Sequence, residues 1–349
     1  MKKSSAHKTV KRVIGFFLLF VFIFTALSMI TSVAVFGVIF QRTDSLVGFV
    51  EIPYALSGSG YKRSQVYFDS GGNTLSGYLY AADNPKGLVI VAPGINSDSD
   101  SHLAEIMFFA DNGYCVLAYD ATGVCKSEGS STVGLQQSKR DLLAAIDYAK
   151  QNPLISSLPV YLYGHSLGGY AVAAVLGEAD VEAAVCLSGF DSPVKTMHGK
   201  AKEYIGIIAD IQYPFLYLQN WFTFGDDADA TAVEAINSVD TPILICYGDN
   251  DQTIPYDLSV YSREDEITNA NASFLEVDGE YRDGHMNMWL SEESAKYMSE
   301  LQDELNDLSY VYDGDIPQDV LDDFYSGIDA KKAMELDKDF MGKVLDFME

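Results

Sequence analysis

The chain has 349 residues, is 48% hydrophobic and carries a formal net charge of −27. Residues 1–42 hold six Lys or Arg and no acid, which leaves residues 43–349 at −33. A body this acidic, with no basic aromatic patch, excludes nucleic acid as a partner. Its charge reads as solubility, and its length suits one large α/β domain with a terminal segment.

Lys2, Lys3, Lys8, Lys11 and Arg12 precede residues 13–40, which contain no charge. As a helix that run would be about 42 Å long, against a hydrocarbon core of about 30 Å. It exceeds the usual signal-peptide core of roughly 7–15 residues. The expected organisation is a basic cytoplasmic N-terminus at 1–12 and a transmembrane signal-anchor helix at 13–40. Positive flanking charge places the rest outside the cytoplasm. Ser32-Val33-Ala34 is a passable cleavage site; if it is used, the body is secreted.

Residues 65–69 and 74–81 read as a hairpin around Gly71-Gly72. Apolar strands follow at 87–92, 114–119, 160–163 and 181–187, with helices at 103–111 and 135–151 between them. Strands alternating with helices predict a doubly wound, mostly parallel sheet, which gathers catalytic groups at the carboxyl ends of its strands.

One such end is Gly164-His165-Ser166-Leu167-Gly168, a G-x-S-x-G between a strand and a helix that starts small, with Gly168, Gly169, Ala171, Ala173 and Ala174. A serine hydroxyl becomes a nucleophile when a sharp turn exposes it beside a base, and glycines clear the crowded turn. The partners of Ser166 should follow in the order acid, then histidine. Residues 241–255 form a strand running into a turn with Asp249 and Asp251, and residues 273–285 form a strand ending in Gly284-His285. His198 precedes the acid-bearing strand and breaks the order, so His285 is the expected base. His102 reads as lying near a helix start, and His165 as the variable position of the turn.

These turns, together with Ile254-Pro255 and Asp120-Ala-Thr-Gly-Val-Cys-Lys-Ser127, resemble the serine α/β-hydrolases, in particular the monoacylglycerol-lipase-like and serine-aminopeptidase-like branch. The resemblance covers roughly residues 65–304. It departs at Thr122, where Arg is usual, and at Cys125, where Gly is usual. It implies an α/β-hydrolase domain at 43–304 with a helical cap at 191–240. It makes Asp251 the histidine-orienting acid, with Asp249 and then Asp191 the next choices. It places the oxyanion-hole N–H groups at Leu167 and, from the loop Pro93-Gly94-Ile95-Asn96, at Ile95. The implied chemistry is hydrolysis of a small-molecule ester or acyl substrate, with no metal and no organic cofactor. A peptidase, thioesterase or acyltransferase would use the same triad, and a non-catalytic binding protein would be the rival from another class.

Residues 204–224 of the cap are unusually apolar and aromatic. Packing on the body is expected to account for most of them; a greasy acyl pocket beneath a lid and a membrane-facing patch are the other readings. His198 reads as a cap histidine. Residues 305–349 are expected to form an acidic extension of two short amphipathic helices docked on the body, without chemistry of its own. Cys115, Cys186 and Cys246 fall in strands and fit no zinc spacing; buried free thiols are the default for them, with a Cys115–Cys125 disulfide the alternative outside the cell. Asn271-Ala-Ser273 is a glycosylation sequon.

Overall fold

The computed structural model describes residues 2–44, 49–57, 60–80 and 83–349, with side chains described from Thr9 onward. The predicted strand end at 81 and the side chains of Lys2, Lys3 and Lys8 lie outside the described residues.

Eight strands form one sheet: β1 (Arg63–Ser70), β2 (Asn73–Tyr80), β3 (Gly87–Ala92), β4 (Tyr114–Tyr119), β5 (Val160–His165), β6 (Ala183–Leu187), β7 (Ile243–Gly248) and β8 (Ala272–Val277). Their spatial order is β1-β2-β4-β3-β5-β6-β7-β8. The β1–β2 and β2–β4 pairs are antiparallel and the other five are parallel. β3, β4, β6 and β7 are buried along their whole length, as a sheet covered on both faces requires.

α1 (Lys2–Ile39) precedes the sheet. Its residues Thr9–Ile39 form a helix long and apolar enough to cross a membrane, a property it shares with signal sequences. Most of its side chains stand exposed, but Phe36 and the following Phe40 are buried in the body. The chain leaving α1 is bound down at once. Thr43 N donates to Gly123 O, and Cys125 N donates to Thr43 O. The Arg42 guanidinium donates to the carbonyls of Cys125, Ser127 and Gly129 at 2.6–3.0 Å.

One face of the sheet is covered by α3 (Gln137–Gln151), α4 (Leu167–Ala174) and α7 (Ala232–Asn237), and the other by α2 (Leu103–Asp111) and the C-terminal α11 (Lys338–Met348). α3 begins two residues later than predicted, because Val133 and Gly134 both hold positive φ and keep the chain out of the helix. The C-terminal stretch also departs from expectation. α8 (Glu292–Val311) runs into it, and α9 (Gln318–Ser326), α10 (Ala330–Ala333) and α11 follow, making more than two short helices. Phe340, Met341, Val344 and Met348 of α11 are core residues.

The cap is a helical hairpin, α5 (Pro193–Ile205) and α6 (Ile207–Phe224), turned at Gly206 with φ +56°. α7, inside the predicted cap range, packs instead on α4 through its buried Ala232, Val233 and Ile236. The expectation that packing accounts for most of residues 204–224 fails. Tyr204, Ile205, Ile207, Ile208, Ile211, Leu218, Trp221 and Phe222 are exposed, and only Ala209, Asn220 and Phe224 of α6 are buried. The strand cysteines Cys115, Cys186 and Cys246 are buried free thiols, as expected, and Cys125 is free as well. Cys115 is the second residue of β4 and Cys125 lies beyond that strand's far end.

Candidate active site

Ser166 sits between β5 and α4 with φ +58° and ψ −116°, a strained conformation for a residue with a side chain. The glycines around it are required by close approach. A Cβ on Gly164 would lie 2.3 Å from Gly168 O, and one on Gly168 would lie 2.1 Å from Ala92 O. The turn is held by Ser166 N donating to Leu187 O at 2.8 Å and Tyr170 N donating to Ser166 O at 3.0 Å. Leu167 is the first residue of α4, so its N–H falls among those with no intrahelical acceptor.

The structure brings Asp251 and His285 together. His285 Nδ1 lies 2.7 Å from Asp251 Oδ2, and that carboxylate is fully buried. Asp251 Oδ1 accepts from Thr253 N and Ile254 N, both at 2.8 Å, so the whole carboxylate is aimed. Nδ1 must donate in this pair, which leaves Nε2 as the basic nitrogen. The other acids lie apart from the histidine. Asp249 is exposed, and Asp191 accepts from Val233 N at the start of α7. Burial pushes the Asp191 carboxyl up.

Ser166, His285, Gly94 and Ile95 line one cavity. A Cβ on Gly94 would be 3.8 Å from Ser166 Cβ, so the backbone at 94–95 passes beside the serine. His198 is remote from this cavity, paired with Asp210 at 2.9 Å and tilted over Tyr213 within the cap.

Comparison with known proteins places this arrangement. Residues 83–216 match the family described as serine aminopeptidase, S33 (Hydrolase_4). The esterase Pf2001 of Pyrococcus furiosus superposes with a TM-score of 0.53 at 20% identity, over 74% of this chain and 98% of that one. The chain has the α/β-hydrolase fold. Among curated relatives, the polyketide transferase grgF of Penicillium sp is 30% identical over 138 residues, 38% of this chain and 47% of that protein. The lysophosphatidylserine lipase ABHD12 of Danio rerio is 28% identical over 151 residues, 42% of this chain and 38% of its own. The chain thus spans less than half the length of either curated relative.

The chain departs from the family pattern it resembles at two positions that the structure explains. Cys125 has φ +42°, in the left-handed region where glycine is the low-strain choice. Burial, with Asp98 next, pushes its thiol up to about 12 and keeps it protonated. Thr122 hydrogen-bonds through N and Oγ1 to the buried Asp141, which also accepts from Ser70 and Gln137. A hydrogen-bonded cluster around Asp141 thus fills the place where an Arg is usual.

Several cavity residues carried no readable signal. His165, the variable position of the turn, is fully buried, and burial drives its imidazole well below the ordinary value. Its Nε2 therefore carries a proton and donates to the backbone carbonyl of His285 at 2.8 Å, with the two rings 4.6 Å apart. Behind it lie Trp289 and His102, and His102 Nδ1 meets the buried Glu105 at 2.6 Å. The i, i+3 spacing of His102 and Glu105 was the one local hint. Glu51 also lines the cavity, bonded to Ser101 Oγ at 2.6 Å. Burial and then Asp98 push its carboxyl up to about 8. Nearby, Arg63 pairs with Asp100 and lies between the rings of Tyr54 and Tyr78. The alternative reading, an acyl pocket beneath the cap, is not what the structure builds. The apolar lining comes from Phe49, Val50, Ile52, Met286, Leu290 and Met298, and no residue of α6 contributes. Met334, from the stretch expected to carry no chemistry, is part of that lining.

Proposed function

We propose that this α/β-hydrolase is a serine hydrolase that cleaves carboxylic esters through an acyl-enzyme. Ser166 Oγ attacks the ester carbonyl while His285 Nε2 takes its proton. Asp251 holds the imidazole tautomer and stabilises the imidazolium. The N–H groups of Leu167 and Ile95 receive the oxyanion. His285 then returns the proton to the departing alcohol; a water deprotonated by the same histidine attacks the acyl carbon, and the histidine passes that proton to Ser166 Oγ as the acyl-Ser166 bond breaks and the acid leaves. The steps use side chains and backbone N–H groups alone. The observation that carries the reading is the Asp251–His285 contact of 2.7 Å opening into the cavity that also holds the strained Ser166.

The apolar lining favours a small-molecule substrate with an apolar acyl group. The similarity to a polyketide transferase supports a second reading, in which an acceptor other than water resolves the acyl-enzyme. α1 fits a single-pass signal anchor with a cytoplasmic N-terminus, the body facing outward and released only on cleavage. The catalytic body takes in 43–304, and the burial of α11 supports counting 305–349 as part of the same packed unit.

The test is fluorophosphonate labelling of the full chain beside Ser166→Ala, with turnover of short- and medium-chain p-nitrophenyl esters. Labelling and turnover that vanish together in Ser166→Ala are the expected result. A folded chain that neither labels nor turns over ester would overturn the proposal.

A further inference from the structure

Among the described residues after 43, exposed large apolar side chains are densest between Tyr204 and Phe222. On α6 they are ordered. Ile207, Ile211, Pro214, Leu218 and Trp221 follow one another at steps of four, three, four and three, with Ile208 and Phe222 alongside. That is one face of a helix, and in a water-soluble protein such a face is turned to the core. Here Ile207 is 74% exposed and Trp221 47%. The catalytic cavity does not use the stripe.

Its neighbour says what covers it. α6 lies beside α1. The rings of Phe24 and Phe215 meet edge to face at 5.9 Å, and Gln212 Nε2 donates to Ser28 Oγ at 3.3 Å. A helix crossing 30 Å of hydrocarbon from Val13 needs about 20 residues and leaves near Val33. Phe24 and Ser28 then lie in the leaflet nearer the body, while Phe36 and Phe40 are already inside the protein. The first half of α6 touches α1 at that depth, and the Ser28–Gln212 bond is the polar interhelical contact that suits such a setting. Charge agrees. Residues 193–224 carry Lys195, Lys200 and Lys202 against Glu203 and Asp210, a net positive segment in a body at −33. Asp210, the one formally charged residue on α6, is paired with Lys202 and His198 of α5.

We propose that the apolar stripe of α6 is a membrane-docking surface: the α5–α6 hairpin inserts its tip and the first half of α6 into the body-side leaflet of the bilayer that α1 spans, with the lysines of α5 at the headgroups. The inference rests on reading α1 as a span, and the test separates the two. The chain has two tryptophans, Trp221 and the buried Trp289. In a Trp221→Phe background, Ile208→Trp reports on α6 and Phe22→Trp on α1, with Trp221→Phe alone giving the Trp289 background. Each full-length protein is reconstituted in phosphatidylcholine–phosphatidylglycerol vesicles with or without bromine midway along the acyl chains.

The expected result is bromine quenching of the Ile208→Trp emission comparable to that of Phe22→Trp, lost on adding Ile207→Glu and Ile211→Glu, with soluble-ester turnover unchanged. Quenching of Phe22→Trp without quenching of Ile208→Trp would leave α1 as a span and overturn the docking of α6. An unquenched but blue-shifted Ile208→Trp emission with α6–α6 cross-links would overturn it in favour of a second copy of the chain. Quenching of neither would sink the span and the docking surface together. The readout is independent of catalysis, so it holds whatever the fluorophosphonate experiment returns.

Discussion

The turn at Ser166 and the hairpin of α5 and α6 are built by opposite rules. At the turn every atom is constrained. Gly164, Gly168 and Gly169 each sit where a Cβ would strike a backbone oxygen or carbon, and both oxygens of Asp251 are occupied. On the outer face of α6 almost nothing inside the protein touches the side chains. Both regions are conspicuous in the sequence, one by its motif and one by its apolar run. The motif specifies its own packing, because each glycine answers a contact within a few residues or on the next strand. The apolar run does not, because helical spacing says that a face is covered without saying by what.

The contrast can be pressed by substitution. Asp251→Asn keeps the shape of the turn but presents the wrong hydrogen-bonding partner to His285 Nδ1. A fall in kcat of about 10³–10⁴-fold on a soluble ester is expected, with the melting temperature little changed. Gly168→Ala adds one methyl 2.1 Å from Ala92 O and should cost about 3 kcal/mol or more in thermal or denaturant unfolding.

Glu51→Gln tests the cavity through pH. The carboxyl rises from its ordinary 4.5 to about 8 on folding, so ionisation opposes the folded state. The penalty is absent below pH 4.5, grows as pH rises and is complete above pH 8. The variant should therefore match the parent at acid pH and exceed it by about 4–5 kcal/mol near pH 9, read from denaturant midpoints across the range. Leu218→Ser, on the exposed stripe, should move stability in detergent by less than about 0.5 kcal/mol. A large loss there would mean that α6 is covered by protein.

Much of the architecture is legible in the residues. β3, β4 and α2 fall at their sequence-predicted boundaries, because each is an unbroken apolar or amphipathic run closed by Pro93, Asp120 or the Asn112-Gly113 turn. The positions of Ser166 and Asp251 are legible for the same reason, since each closely follows an apolar strand; the reading of 273–285 as one strand fails, because β8 stops at Val277 and His285 lies in the loop beyond it. What stayed hidden depends on distant partners. His165 has no signal of its own, because its role comes from the carbonyl of a residue 120 positions away. Glu51 is unusual only for the acids and burial around it. α11, by contrast, is legible as a docked amphipathic helix, since Phe340, Met341, Val344 and Met348 recur at helical spacing. The cap misleads because an aqueous core and a lipid surface ask for the same spacing.

The grip of Arg42 on the carbonyls of Cys125, Ser127 and Gly129 has a mechanical consequence. With Thr43 paired to Gly123 and Cys125, and Phe36 and Phe40 sunk in the body, the joint after α1 has no slack. It behaves as a bracket: when α1 tilts or turns, the body turns with it. With α1 as the span proposed above, the height and heading of the cavity mouth are set by the helix, and the cavity faces its surroundings at a fixed angle instead of sweeping a hemisphere on a leash.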